Sequence, residues 1–362
     1  MQIIDLHIQD LFNFENIFNP AVIRNADGTF LLICRLQNHA AEGYLGLCTL
    51  DNTYKPLQTI AIHKESLQMK SRAEVMLEDP RIFQDGDKTY LYHVESGAKA
   101  LYFCYTVFGL IDRKGTMSEQ VVIDYKKNGS SFNTLQRIGK LPVQKTYPLK
   151  DWIVEKNWQF FISANKYYGI YKAGRKHQVF CFDFPGGSIR AKYITYNHLV
   201  WNYGRISGGA APVLHPDGYF YSFFHSWTTW EKPLKTYPWH QRKYHIGVYV
   251  FENEPPFRIK MISEKPILSG SDFDAIAESG HAVVFPGSAL FDEKTGTWII
   301  AIGWNDRSCK MLEIEHADIL KELTGVNQLP VTDIVIMESR PVIQKIRQKA
   351  GRFLRSFKTS SN

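Results

Sequence analysis

The sequence contains no apolar run of the roughly 18 residues that a membrane-spanning helix needs, so no transmembrane helix is expected. Its opening, Met1 to Asp10, carries acids and no apolar h-region, so it does not read as a signal peptide. Cysteines are few and odd in number: Cys34, Cys48, Cys104, Cys181 and Cys309, set in apolar surroundings with no CxxC pair. That pattern excludes a disulfide framework and a zinc knuckle, and it predicts reduced core thiols in a cytoplasmic protein. No other metal-ligand spacing is visible, and no metal is expected. An evenly basic surface is missing too. The net charge is +7, yet Arg340, Lys345, Arg347, Lys349, Arg352, Arg355 and Lys358 fall in one acid-free stretch, Ser339 to Asn362. Without that tail the chain is near neutral, so no nucleic-acid partner is indicated.

Helical periodicity is also scarce, and strand signals fill the space it leaves. Five units repeat the pattern strand, tight turn, strand: Ala21 to Cys34 about Asp27-Gly28, Arg81 to His93 about Asp85-Gly86, Trp158 to Tyr171 about Asn165-Lys166, Ala211 to His225 about Asp217-Gly218, and Ala289 to Ile302 about Thr295-Gly296. Each is a hairpin signature. The spacing leaves room for a four-stranded sheet per unit, and radial repetition of such sheets gives a propeller. The expected fold is all-β: a five-bladed β-propeller over residues 1–335, with the segment before Asn19 free to close the ring. A β-sandwich is the alternative. Residues 336–362 are expected to form a basic amphipathic helix and tail. There Ile343, Ile346, Ala350, Phe353, Leu354 and Phe357 share one helical face, with the bases around it. Such a helix suits an anionic membrane surface; a cap packed on the propeller is the plainer reading.

A propeller gathers at its axis the polar residues that flank its hairpins. These are Asn19 and Arg35; Glu78, Asp79 and Arg81; Lys156, Asn157 and Lys172; Arg205 and His225; and Asp306, with Tyr244 as a further neutral donor. Glu78-Asp79-Pro80-Arg81 is the centre of the set. Proline after an acid is expected to pin that acid in an extended conformation at a strand end. Turn-flanking acids are common, so the tetrapeptide alone is unremarkable; its company matters more. Lys156, Lys172, Arg205 and His225 form a cationic cluster suited to phosphate or a sugar phosphate. Inverting hydrolysis needs two carboxylates, whereas a phosphorylase needs one acid because phosphate is its own nucleophile. Aromatics crowd Tyr221 to Tyr249, Trp227, Trp230, Tyr237 and Trp239 among them. They suit sugar stacking, or simply a core or lid.

With these motifs in view, the chain resembles glycoside hydrolase family 130, the β-mannoside phosphorylases and hydrolases, and the related glycosyltransferase family 108 of β-1,2-mannosyltransferases and phosphorylases. The matching elements run from Asn19 to Asp306. They are Glu78-Asp79-Pro80-Arg81, Arg205-Ile-Ser-Gly-Gly-Ala-Ala-Pro-Val with Asp217-Gly218 and Phe224-His225, Tyr244-His-Ile-Gly247, and Val284-Phe285-Pro286-Gly287. The resemblance implies a five-bladed propeller and an inverting mechanism, with Asp79 as general acid acting through a sugar hydroxyl. It implies phosphate held by Lys156, Asn157, Lys172, Arg205, His225 and Tyr244. Asn19, Arg35 and Asp306 fall where the sugar before the scissile bond is held, and Glu78 and Arg81 would position the acid or that sugar. Lys156 and Lys172 stand where arginine is usual, and Arg205 where lysine is. An insertion from Trp227 to Arg242 could reshape the acceptor site.

The expected function is therefore transfer of a mannosyl-type unit between a β-mannoside or glycan acceptor and a donor: phosphate with mannose 1-phosphate, or GDP-mannose. No cofactor is expected beyond that phosphate or sugar nucleotide as co-substrate. Synthesis of a surface glycan at the inner face of a membrane is the alternative the basic tail favours. Hydrolysis, or glycan binding without catalysis, fits the cationic cluster less well.

Overall fold

In the computed structural model, residues 1–8, 11–38, 43–62, 75–97, 103–125, 129–130, 153–229, 242–270 and 282–336 are described. The expected amphipathic tail, and residues 230–241 of the expected insertion, lie outside them. Among the described residues the strands form five sheets. The first runs in order Asn16–Arg24, Phe30–Gln37, Gly43–Leu50 and Pro56–Ile62. The second is Val75–Asp85, Lys88–Gly97, Phe103–Ile111 and Met117–Asp124, extended by Gly129–Ser130. The third is Gln159–Ser163, Lys166–Lys172, Lys176–Phe182 and Ile189–Asn197. The fourth is built on Tyr219–Thr229, Arg242–Glu252 and Ile259–Ser263, with the short strands Ser207–Gly208 and Val213–Leu214 leading it. The fifth is Val284–Asp292, Thr297–Trp304 and Ser308–Glu315.

The sheets succeed one another around a ring, and the side chains show why. The inner strands are buried on both faces, so their apolar residues divide between two cores. In Phe30–Gln37, Leu31 and Ile33 join the core shared with the second sheet. Phe30, Leu32, Cys34 and Leu36 join the core shared with the fifth. Three further clusters fill the spaces between second and third, third and fourth, and fourth and fifth sheets. One core thus lies between each neighbouring pair, and the circle closes. This is a propeller-type, nearly all-β fold. Each fully buried leucine or phenylalanine in these cores contributes about 1.5–3 kcal/mol. All five cysteines are free and buried.

Two strands reach across the ring from the ends of the described chain. Gln2–Asp5 pairs antiparallel with Ser308–Glu315 and supplies the fourth strand of the fifth sheet. After the fifth sheet, the helix His316–Glu322 and the strand Leu323–Gly325 run back along the fourth sheet. Gln328–Ile336 then becomes the outer strand of the third sheet, paired with Ile189–Asn197.

The leading strands of the first, second and fifth sheets carry one extra residue relative to their partners, at Asn19-Pro20, Asp79-Pro80 and Gly287. These β-bulges bend the strand and re-aim its side chains. The bulge corrects the expectation that proline would keep Asp79 extended: Asp79 is left-handed at φ 49°, and Asn19 likewise at 50°. Asp and Asn tolerate that region better than other non-glycine residues. The ring is tight here. A β-carbon on Gly287 would sit 1.9 Å from the Pro20 carbonyl oxygen, and one on Gly208 would sit 2.2 Å from that of Asn157.

Candidate active site

The bulges turn their polar side chains toward one centre. Asn19 Nδ2 donates to Asp79 Oδ1 at 2.9 Å. Arg35, from the hairpin partner of the Asn19 strand, places Nη1 3.7 Å from Asp79 Oδ1 and 3.6 Å from Glu78 Oε2. Ser96 donates to the other Glu78 oxygen at 2.6 Å, so Glu78 is engaged on both sides. Arg81 is buried at 1% exposure. Its Nη1 donates to the Asp79 carbonyl at 2.9 Å and its Nε to the Gly209 carbonyl at 2.6 Å. Burial raises the Asp79 pKa, but Arg35, Arg81, Lys156 and the Asn19 hydrogen bond together outweigh it and hold the carboxyl below its ordinary range.

A pocket of about 290 Å³ opens beside this centre, between the third and fourth sheets. Lys156, Asn157, Lys172 and Arg205 line it together with Ser207 and Gly208, and no carboxylate is among its described lining residues. Asn157 is left-handed at φ 62°, another polar side chain turned by its backbone. The three cationic side chains are exposed. Next to the pocket, His225 pairs across the sheet with Ser207 and is 6% exposed. Its ring lies 6.1 Å from that of Tyr244 and 4.8 Å from that of Phe285. Burial first, and the Arg81 charge second, push the His225 pKa down to about 3, so the ring is neutral.

Asp306 completes the set from the fifth sheet. Asn305 and Asp306 are successive left-handed residues, φ 53° and 54°. The Val283 N–H binds Asn305 Oδ1 at 3.0 Å and fixes the turn. The Asp306 side chain is open to solvent, yet surrounding protein and then the Asp79 charge raise its pKa to about 6. The structure thus brings the twelve sequence-chosen residues to one region: Asn19, Arg35, Glu78, Asp79, Arg81 and Asp306 about the acid, and Lys156, Asn157, Lys172, Arg205, His225 and Tyr244 toward the pocket. Ser96 and Gln159 were missed. Gln159 Nε2 donates to the Ala210 carbonyl at 2.6 Å and to Ser222 Oγ at 2.8 Å, tying the third sheet to the fourth. Neither residue sits in a motif; only their long-range partners reveal them.

Among the described residues, one His/Asp group has potential metal-ligand atoms within 4.8 Å of one another: His215, Asp217 and His316. The indole N–H of Trp298 donates to His316 Nδ1 at 3.0 Å. Indole can only donate, so the neutral ring carries its proton on Nε2 and has no free lone pair for a metal. Asp217 accepts from the Tyr219 N–H at 3.0 Å and the Tyr221 hydroxyl at 2.9 Å. The group is a hydrogen-bonded stack.

No family model matches the sequence, and no curated protein matches it. Solved structures do match in fold. A β-1,2-mannobiose phosphorylase from Listeria innocua, in complex with β-1,2-mannobiose, superposes with a TM-score of 0.57 at 12% identity, over 89% of this chain and 99% of that one. A mannose phosphorylase from Leishmania mexicana, in complex with a phosphate ion, gives 0.52 at 11%, over 88% and 89%. A GDP-Man-dependent mannosyltransferase from Leishmania mexicana gives 0.50 at 12%, over 91% and 95%. The chain therefore has the fold of mannoside phosphorylases and mannosyltransferases, and these neighbours match the two families that its motifs resemble. At these identities the likeness is one of fold.

Proposed function

We propose that the chain is an inverting glycosyl-transferring enzyme acting on β-mannosides, with the five sheets as the blades of a five-bladed catalytic propeller over residues 1–335. The observation that carries this reading is the pocket lined by Lys156, Lys172 and Arg205, with no carboxylate among its described lining residues, beside the buried acid Asp79. Several cations gathered on one wall, more than the neighbouring acid can balance, attract a phosphate group. Asn157, His225 and Tyr244 would add neutral donors to it. The sugar before the reacting bond would rest against Asn19, Arg35 and Asp306, within reach of Asp79.

In degradation, Asp79 would supply a proton to the leaving oxygen through a sugar hydroxyl while phosphate attacks the anomeric carbon from the opposite face. In synthesis the same path runs backwards: ionised Asp79 receives the acceptor's proton, and phosphate or a nucleoside diphosphate leaves. The direction of the Asp79 shift favours the second course, because the carboxyl starts ionised. That supports a sugar nucleotide or sugar phosphate as donor. The test is incubation with mannose 1-phosphate or GDP-mannose and a mannoside acceptor. Release of phosphate or GDP supports the proposal; tight oligosaccharide binding with no turnover from either donor replaces it with a glycan-binding propeller.

No helix among the described residues is long and apolar enough to cross a membrane. The acid-free basic run of residues 339–362 supports peripheral attachment to an anionic surface, so that a glycan is extended beside a membrane. Removing residues 337–362 should release the protein from anionic vesicles in flotation; unchanged flotation rejects the attachment.

A further inference from the structure

Next to Asp79 lies an arginine, Arg81, too deeply buried for a solvent-borne sugar to reach. Arg81 stands on the leading strand of the second sheet. Its guanidinium touches three sheets. Within its own it binds the Asp79 carbonyl and lies 5.7 Å from the centre of the Tyr92 ring. In the fourth it binds the Gly209 carbonyl. In the fifth it lies 4.9 Å from the centre of the Phe285 ring. The Gly209 wall is itself held close: a β-carbon on Gly209 would meet the Phe223 carbonyl oxygen at 2.6 Å, and the Ala210 N–H binds that same carbonyl at 3.1 Å. Gln159 in the third sheet takes the Ala210 carbonyl.

We propose that Arg81 is the positioning residue of Asp79: by joining the acid's own carbonyl to the Gly209 carbonyl, it sets the direction of the Asp79 carboxyl from the fourth sheet. The inference rests on the functional reading above and decides between the two roles left open for Arg81, the acid or the sugar, in favour of the acid. The geometry needs both arms of a planar fork, one N–H to each carbonyl. Lysine has one ammonium on a flexible stem and cannot reproduce two fixed directions. A left-handed Asp79 with an unanchored carbonyl could relax, and a shift of about 1 Å at a reacting group costs roughly 10²-fold in rate. Arg81 is also a permanent buried charge. It works with Arg35, Lys156 and the Asn19 hydrogen bond on Asp79, against burial, while Asp306 and Glu78 face the same space. It opposes protonation of His225 as well. One Arg81 nitrogen, Nη2, is buried without a hydrogen-bond partner among the described residues, so the bonds and rings above are what fix the side chain there.

The test separates geometry from charge with Arg81→Lys and Arg81→Gln. Turnover of the mannosyl donor and the carboxyl titration of Asp79, followed by carbon-13 resonance, are measured on both. Arg81→Lys should lose about 10²-fold in kcat with little change in acceptor KM, and keep the Asp79 midpoint low. Arg81→Gln should lose kcat and raise that midpoint as well. Wild-type kcat in Arg81→Lys, or an unmoved midpoint in Arg81→Gln, overturns the proposal. A reading free of any variant comes from the wild-type protein: the Arg81 Nε–H should exchange slowly with solvent, and fast exchange overturns the proposal. If no donor turns over in the wild type, the functional reading fails, while the titration and exchange data still decide whether Arg81 holds Asp79.

Discussion

Replacing Asp79 by Asn removes one proton-carrying group and the negative charge that Arg35, Arg81 and Lys156 face, and keeps its hydrogen-bond partners. Asn19 Nδ2 still finds an amide oxygen where it now binds Asp79 Oδ1 at 2.9 Å. The Arg81 bond is to the backbone carbonyl, which the substitution keeps. Arg35 retains Glu78 at 3.6 Å. The stability cost should be about 1.5–3 kcal/mol, that of a charged hydrogen bond, and the variant should fold. Its catalytic cost is of another order. General acid–base participation contributes about 10²–10⁴-fold, or roughly 2.7–5.4 kcal/mol of barrier at 1.36 kcal/mol per decade. We expect Asp79→Asn to lose at least about 10²-fold in donor turnover, read as phosphate or GDP release, with oligosaccharide affinity within a few-fold of wild type. A folded variant with undiminished turnover would refute the assignment of Asp79. Equal loss of turnover and sugar affinity would instead make it a binding group.

Three other outcomes follow from the same geometry. Lys156→Ala and Arg205→Ala should each raise the KM or Kd for the phosphate-bearing substrate about 10-fold or more, since a charged hydrogen bond contributes about 1.5–3 kcal/mol; calorimetric titration with phosphate and with GDP reads this. Gly287→Ala drives a methyl group into the Pro20 carbonyl oxygen, 1.9 Å from the β-carbon position, and should destabilise the fold by about 3 kcal/mol or more in denaturant unfolding. His225 has its folded pKa lowered from 6.5 to about 3, so the unfolded chain binds the proton first as pH falls. Stability associated with the neutral ring should be present above about pH 6.5 and drain away as pH drops toward 3; His225→Gln should flatten that part of the melting-temperature profile, and an unchanged slope rejects a neutral buried ring.

The fold was legible because its hairpins are local. Asp27-Gly28, Asp85-Gly86 and Asp217-Gly218 announce turns by residue type, and glycines 28, 86 and 218 all have positive φ. The gathering of these polar residues was legible because they interrupt apolar strands at matching places. What sequence could not show depends on distant partners. The conformation of Asp79 was read from its proline neighbour, whereas an extra residue against Val94 and Tyr92 decides it. Arg81 looked like a sugar contact or a brace for the acid until its depth and the Gly209 carbonyl became visible. Ser96 and Gln159 have no local signal at all. The strand Gln328–Ile336 reads as an ordinary apolar run, and nothing nearby says that it belongs to the third sheet.

That last strand has a consequence for how the chain becomes a ring. The strand Gln2–Asp5 waits for the fifth sheet, and the third sheet waits for residues near the end of the described chain. A ribosome therefore releases the third sheet with its Ile189–Asn197 edge bare, and that edge stays open until residues beyond 327 have been made. Pairings of such long sequence separation form slowly, and uncovered strands invite neighbours to pair with them. Premature termination anywhere between residues 200 and 327 would leave a chain able to build most of its sheets and unable to seal them, which makes aggregation its expected fate.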